Sequence, residues 1–552
     1  MRYLKYLIIF SVVTGMMSCK KYLDINSDPD TPQTPDPSSI MPAMLSAIPR
    51  GIQFDARYIG KFIQNWSGNT SGDVWDIHSH QGFPGILDNG GDIWRQTYFG
   101  LGLNLNYIIN EGIKKGQWDY VGAAYALKAY MFQNCTDVYG DMIYSEAFKE
   151  NTSTFKYDEQ QIVYRGVDSL CRLALSNLIR DDLNPASSIL AKGDFVYDGD
   201  RAKWIRFVNG ILARNFMRYS NKPNFNTTFA DSVIYYVDRS FASGTDDFLI
   251  PFDASKNDDA NFFGPFRNNM ATFRQTHMIV RLLDGTTLAG SNVPFANRDP
   301  RIKHMLSASQ DTMTGVVNGG YRSVEPGQGD PQNANTTSRT RVANLWGDSL
   351  YANPSASVFS PGRGKYLFKD KTVSPVMSYS ELQFLKAEAA LKKSPASAVA
   401  YTAYLNGIGA HFDFINRGIY PRGNVQLYNL NPISAAEKTG YLAGNNVKKT
   451  AAALTLTDIM LQKYIAMWGW GFVETWVDLR RYNYTGTDPV TTQPVYKGFI
   501  VPTNLIASNN GQLTTRIRPR YNSEYVWNRE ELDRIGATSP TYHVKPMWFS
   551  LP

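Results

Sequence analysis

Helical stretches recur in pairs along this chain of 552 residues, and that pairing limits the possible fold more than any other feature. From Asp92 onward, residues 94–109 read as one helix, Gly116 breaks it, and residues 118–134 read as a second. Further pairs follow at 158–180 with 200–220 and at 379–392 with 395–407. A last helical region spans 457–482, interrupted by Gly469 and Gly471, with Thr455 and Asp458 spaced as a capping pair at its start. Helices arranged this way bury their apolar stripes against one another, so the pattern predicts a mainly α scaffold of stacked pairs.

Within the second helix, Trp118, Val121, Gly122 and Tyr125 carry the W-x2-L-G-x2-Y spacing of a tetratricopeptide repeat, with Val in place of Leu. Aromatic and small residues at that spacing let neighbouring helices interlock closely. Between Asn221 and Pro375, beyond one short amphipathic helix around 231–241, Gly, Asn, Asp, Pro and Ser dominate. Irregular stretches of this length are uncommon in folded proteins and often functional. The helical pairs read as scaffold and the intervening loops as working surface.

The first residues bear on compartment. Arg2 and Lys5 give a basic start, residues 7–13 an apolar run broken only by Ser11, and Met16-Met17-Ser18-Cys19 sets a small residue before a cysteine. That is a bacterial secretory signal over residues 1–18 ending in a relaxed lipobox, with Cys19 acylated and anchored in a membrane. The alternatives are an ordinary signal peptide with a chance cysteine, or a spanning helix, for which the run is short of the ~18 residues needed. Residues 19–39 follow as a tether, because three prolines between Thr31 and Pro37 favour extended structure. Asn26, Asp28 and Asp30 alternate like the first ligands of a calcium loop, but no glutamate closes it. Residues 40–552 are read as one domain, with helix pairs at about 92–220 and 378–482 around a loop-rich region at about 221–375.

A formal charge of +7 with no basic run longer than a pair argues against a nucleic-acid surface. Aromatic residues make up 13% of the chain and charged ones 19%, against about 25% charged in a typical domain. Such a composition suits neutral polar ligands held by stacking and hydrogen bonds, carbohydrate or peptide, and equally suits a large aromatic core. Besides Cys19 there are Cys135 and Cys171, both in helix-like segments. They are read as buried apolar residues, or as a disulfide if they face each other.

No H-E-x-x-H, G-x-S-x-G or complete phosphate loop occurs, and no cofactor is implied; Gly362-Arg363-Gly364-Lys365 lacks the required spacing and hydroxyl. His78, His80 and Asp76 offer the start of a metal site without an evident third ligand, so a polar loop is the simpler reading. Glu474 and Asp478, four apart on a helix, have a spacing that glycoside hydrolysis can use. Arg481 pairs with Asp478 at i,i+3, however, which makes a structural charge cluster the better reading and leaves no catalytic residue assigned.

Several ordered blocks resemble the SusD/RagB family of outer-membrane nutrient-binding lipoproteins, in its SusD-like branch. They are Cys19-Lys20-Lys21-Tyr22-Leu23-Asp24-Ile25-Asn26, the run from Tyr120 through Asp137-Val138-Tyr139-Gly140-Asp141 to Tyr144-Ser145-Glu146-Ala147-Phe148, and the segment 204–218. Ser380-Glu381-Leu382 to Glu388-Ala389-Ala390 and Glu474-Thr475-Trp476-Val477-Asp478-Leu479-Arg480-Arg481 complete them. The resemblance implies four tetratricopeptide-like helix pairs in an α-α superhelix with long loops and little β. It also implies an outer-membrane location facing the exterior, a ligand that is an oligosaccharide or a peptide, and a TonB-dependent barrel of the SusC type as partner. A surface glycoside hydrolase is the reading from another class. In the D-V-Y-G-D block, Asp137 and Asp141 flank a helix-ending turn, Tyr139 packs and Gly140 permits the turn, so these residues are read as fold signature.

For the ligand site, residues 65–78 mix tryptophans with short polar side chains, placing Trp66, Asn69, Asp73 and Trp75 as candidates. Planar rings beside amides and carboxylates give a pyranose a face to stack on and acceptors for its hydroxyls. The resemblance implies further binding loops in the central region, where Phe263, Arg267 and Tyr321 offer similar chemistry. The plainer alternative makes Trp66 and Trp75 core anchors of a loop.

Overall fold

The computed structural model describes residues 34–70, 91–290, 298–311, 313–316, 318–335, 338–346, 364–417 and 432–552. The molecule is about 51% helical and about 6% strand. Helix α1 (Pro37–Phe62) is followed by α2 (Gly102–Lys115), α3 (Trp118–Tyr139), α4 (Gln160–Leu178), α5 (Arg201–Met217) and α6 (Ala230–Asp238). After a long central excursion come α7 (Tyr379–Lys393), α8 (Ala398–Arg417), α9 (Leu456–Met467) and α10 (Phe472–Arg481). From α1 to α8 each helix packs on the next, while α9 closes on α7 and α10 on α1 and α3. Among the described residues no helix is long and apolar enough to cross a membrane.

Local sequence accounts for the joints. Gly116 ends α2 in the left-handed region at φ 67°, and Gly140 ends α3 at φ 83°. Gly122 lets α3 approach α4: a Cβ there would stand 2.6 Å from Leu178 Cγ. Thr455 and Asp458 form a reciprocal capping box at the start of α9. Cys135 on α3 and Cys171 on α4 are both buried and free, so they pack as small apolar residues and form no disulfide.

Two expectations change. The tether does not run to Ser39, because α1 already begins at Pro37. Proline is accommodated at a first helical position, where its missing N–H has no partner to lose, and Asp36 caps the end through Ser38 N at 3.0 Å. Pro42 and Pro49 lie inside α1, yet burial of Met41, Leu45, Ile48, Ile59 and Phe62 along one face outweighs their intrinsic cost. Finally, residues 94–109 are not one continuous helix: Asp92–Arg95 passes into a widened turn, Gln96–Gly100, before α2. Gly102 then opens α2, and its missing side chain makes room for Phe148, whose ring a Cβ there would meet at 2.2 Å.

Among the described residues, four short strands form two antiparallel pairs. β1 (Trp66–Gly68) pairs with β3 (Phe273–Gln275), and β2 (Phe248–Phe252) with β4 (Thr372–Met377). The excursion therefore leaves along β2 and returns along β4, with Phe252 opposite Thr372, so its two ends are fastened side by side against the helices.

A buried ionic network crosses the stack. Arg218, at the end of α5, meets Asp137 of α3 at 2.7 Å and Glu474 of α10 at 2.5 Å. Lys463 of α9 meets Asp478 at 2.7 Å and Glu474 at 3.5 Å. Arg481 pairs with Asp478 and, on α7, with Glu388, each at 2.6 Å. Arg214 holds Glu381 at 2.5 Å and donates to the carbonyl of Val376 in β4 at 2.9 Å. All these side chains are at most 5% exposed. Glu474 and Asp478 thus sit in the structural charge cluster expected of them.

Burial pushes the Glu474 carboxyl up, but Arg218 and Lys463 outweigh it and hold the group well below its ordinary 4.5. A depressed folded-state pKa means that the unfolded chain binds the proton first as pH falls through about 4.5, so this contribution is intact above that pH and lost below it. Glu474→Gln is expected to lower stability at neutral pH by about 3–5 kcal/mol, because Arg218 and Lys463 lose a buried counter-charge. Thermal melts of both proteins should show the gap between them narrowing as pH drops below about 4.5; a gap independent of pH would contradict the assignment.

Candidate functional site

The two regions singled out in the sequence, around residue 66 and in the central loops, come together. Strand β1 places Trp66 opposite Gln275, Ser67 opposite Arg274 and Gly68 opposite Phe273. Beyond β1, Asn69 N donates to Thr272 O at 2.7 Å, its carbonyl accepts from Asp330 N at 3.0 Å, and its side-chain amide donates to Asn333 Oδ1 at 2.7 Å. Arg341 Nη2 approaches the same Asn333 oxygen at 3.4 Å. Asp330 organises the turn, accepting from Gln332 N at 2.9 Å and from Val342 N at 3.0 Å. Gly329 precedes it at φ 74°, where a Cβ would stand 3.1 Å from Asn69 O.

Trp346 on this arm is half-buried, with Nε1 donating to Phe263 O at 2.7 Å. Asn344 fixes it by accepting from Trp346 N at 2.8 Å. Paired amides and a guanidinium thus gather at the end of β1, while the half-buried ring of Trp346 is held at Phe263. Asn69 Oδ1 is buried and has no hydrogen-bond partner among the described residues.

The candidate residues divide. Trp66 is fully buried: its ring meets Phe472 at 5.1 Å, Phe263 at 5.6 Å and Phe273 at 6.1 Å, and lies so close to α1 that a Cβ on Gly60 would fall 2.3 Å from it. Phe263 is 1% exposed. Neither ring has a free face, so both are core anchors carrying the loops, which corrects their expected role as stacking platforms. Asn69 does lie at the assembled surface. Tyr321 is half-buried, with its backbone held by Asn318 Oδ1 at 3.1 Å, and Arg322 beside it is tied to the carbonyls of Asp311 and Thr314. Arg267 donates to Asn257 O at 3.1 Å and stays with Phe262 rather than joining the Asn69 cluster. Asp73 and Trp75 lie outside the described residues, as do Cys19, the calcium-like Asn26, Asp28 and Asp30, and Asp76, His78 and His80.

Sequence reasoning missed Asn333, Arg341 and Trp346. The signal was there: Asn344-Leu345-Trp346 repeats the amide-and-indole mixture of Asn65-Trp66, and 332–335 is amide-rich. Among the described residues no group of three or more His, Cys, Asp and Glu side chains is placed to hold a metal ion.

Fold comparisons agree on one architecture. A SusD/RagB family protein from Bacteroides thetaiotaomicron superposes with a TM-score of 0.68 at 22% identity, over 94% of this chain and 99% of that one. A structure described as a chitin-binding protein gives 0.67 at 21% identity, over 94% and 100%. A chitin-binding SusD homolog from Flavobacterium johnsoniae gives 0.63 at 21%, over 93% and 98%. At these identities the likeness speaks for the fold alone. No curated protein matches the sequence. The family model described as starch-binding, associating with the outer membrane, matches residues 30–503, and with most of its length so matched the chain belongs to the SusD-like family.

Proposed function

We propose that this protein is a non-catalytic, lipid-anchored binder on the outer face of the outer membrane, which captures an oligomeric glycan and hands it to a TonB-dependent barrel. The observation that carries this reading is the cluster of Asn69, Asn333 and Arg341 at the end of β1, on the arm that also bears the half-buried Trp346. Amides and a guanidinium suit the hydroxyl rim of a sugar ring, and an indole suits its apolar face. The family description as starch-binding and the chitin-binding relatives support a glycan as the ligand class. Asp73 and Trp75, a few residues beyond Asn69 in sequence, complete the proposed surface. Phe263 contributes its carbonyl to Trp346 and Trp66 its packing, while Tyr321 and Arg267 are peripheral members.

Titration calorimetry with malto- and chito-oligosaccharides tests this. Trp75→Ala, Asp73→Ala and Asn333→Ala are expected to weaken binding by roughly 1–3 kcal/mol with Tm nearly unchanged. Trp66→Ala should instead lower stability by roughly 3–5 kcal/mol. Binding of oligopeptides but of no glycan would reassign the ligand; affinity insensitive to all three surface variants would move the site elsewhere.

The anchor and the partner have their own test. Cys19→Ala should release the protein from membranes or leave its precursor uncleaved, and the wild type drawn from gently solubilised membranes should bring down an outer-membrane barrel in stoichiometric amount. Recovery of the wild type only as a soluble monomer would overturn both.

A further inference from the structure

A second cavity shares no residue with the Asn69 cluster. It lies between the widened turn before α2, the loop after α3 and the C-terminal segment, and its volume of about 530 Å³ falls within the range of small-ligand sites. Trp94, Tyr98, Phe99, Phe148 and Phe155 wall it. Tyr98 spends its hydroxyl on the carbonyl of Ile143 at 2.7 Å, so its share of the wall is ring and not polar tip. Phe99 stands at the opening, 67% exposed.

The same lining carries two guanidiniums, Arg95 and Arg520. Arg95 is exposed and lies over the Phe99 ring at 5.9 Å; among the described residues its guanidinium forms no hydrogen bond or ion pair. The stem of Arg520 packs on Gly91, where a Cβ would meet its Cγ and Cδ at 3.3 Å. Asp92, the next residue, feels Arg95, Arg520 and Arg57 of α1 together, and Arg57 is answered in addition by Asp55. Lys128, over the Phe148 ring at 5.3 Å, donates to the neutral amide of Asn106 at 2.6 Å. Glu524 lines the interior, where its Oε2 accepts from Tyr157 Oη at 2.8 Å and from Asn528 Nδ2 at 3.1 Å. Asp158 is engaged by the N–H groups of Tyr144 and Ser145 and by the Ser145 hydroxyl. Arg95, Arg520 and Lys128 thus outnumber Asp92 and Glu524, and two of the three cations stand on the Asp92 side of the cavity.

Aromatic walls favour burial of a hydrocarbon body, and a guanidinium presents paired N–H donors that match a carboxylate. We propose that this cavity binds an organic acid, a compact apolar body ending in a carboxylate, with the body against Trp94, Tyr98, Phe148 and Phe155 and the carboxylate at Arg95 and Arg520. The site is independent of the glycan reading.

The test places three heads on one skeleton: 4-phenylbutyrate, the neutral 4-phenylbutan-1-ol and the cationic 4-phenylbutylamine, each titrated into the mature full-length chain by calorimetry, with tryptophan fluorescence reporting on Trp94. The acid should bind about tenfold more tightly than the alcohol, and the amine most weakly. Arg95→Gln, a change at an exposed side chain, should erase most of that preference and keep Tm, and Arg520→Gln should act in the same direction. Leu103→Ala, which trims the lining without touching a charge, should weaken acid and alcohol alike by about twofold to threefold. Asn333→Ala should leave all three affinities unchanged. Equal affinity for acid and alcohol, tightest binding of the amine, no binding of the acid at about 10 mM, or a preference that Arg95→Gln leaves intact would overturn the proposal. If Arg520→Gln fails to fold, the three probes on the wild type and on Arg95→Gln still decide it.

Discussion

Charges that water does not reach set the arrangement of the helices. Burying an ion costs several kcal/mol, and only a well-placed counter-ion with further hydrogen bonds offsets that cost. Arg218 takes its partners from α3 and α10, Lys463 on α9 reaches two carboxylates of α10, and Arg481 ties α10 to α7. Sliding any one of these helices by a residue would leave a charge unpaired in the interior, so the network selects one register from the many that apolar packing alone would tolerate. Its influence reaches the loops as well. Arg214, engaged with Glu381, also grips the Val376 carbonyl of β4, and β4 with β2 fastens both ends of the central excursion.

Much of the scaffold was legible because helical periodicity and its punctuation are local. Gly116, Gly122 and the Thr455–Asp458 box act within a few residues of where they stand, and each has the role its spacing predicts. Helix α1 escaped notice because its sequence argues against itself: Pro42 and Pro49 interrupt it, and its stability comes from the neighbours that cover it. The close approach of Phe148 to α2 was hidden for a similar reason, since Gly102 answers to a ring more than forty positions along the chain.

The site was half legible. Sequence located the two regions that meet, but could not tell a tryptophan that stacks on a ligand from one that holds up a loop. Asn65 precedes Trp66 and Asn344 stands two residues before Trp346, yet the two rings differ in what the rest of the chain places on them. Trp66 is enclosed by Phe263, Phe273, Phe368 and Phe472, contributed by three separate parts of the sequence. Burial of a particular ring is a property of the assembled core, and composition shows only that such rings abound.

The hydrogen bond between Asn69 and Asn333 joins residues 264 positions apart. Contacts that close so long a loop form only after its entropic cost has been met by other interactions, and they slow folding compared with local pairing. The stack from α2 to α6 can gather from neighbours in sequence, whereas β1 must wait for β3 and for the arm bearing Asn333 and Trp346. Closure of the Asn69–Asn333 cluster is consequently a late event in the life of each molecule. A chain interrupted or nicked within the central excursion would keep much of its helical content and still lack that cluster.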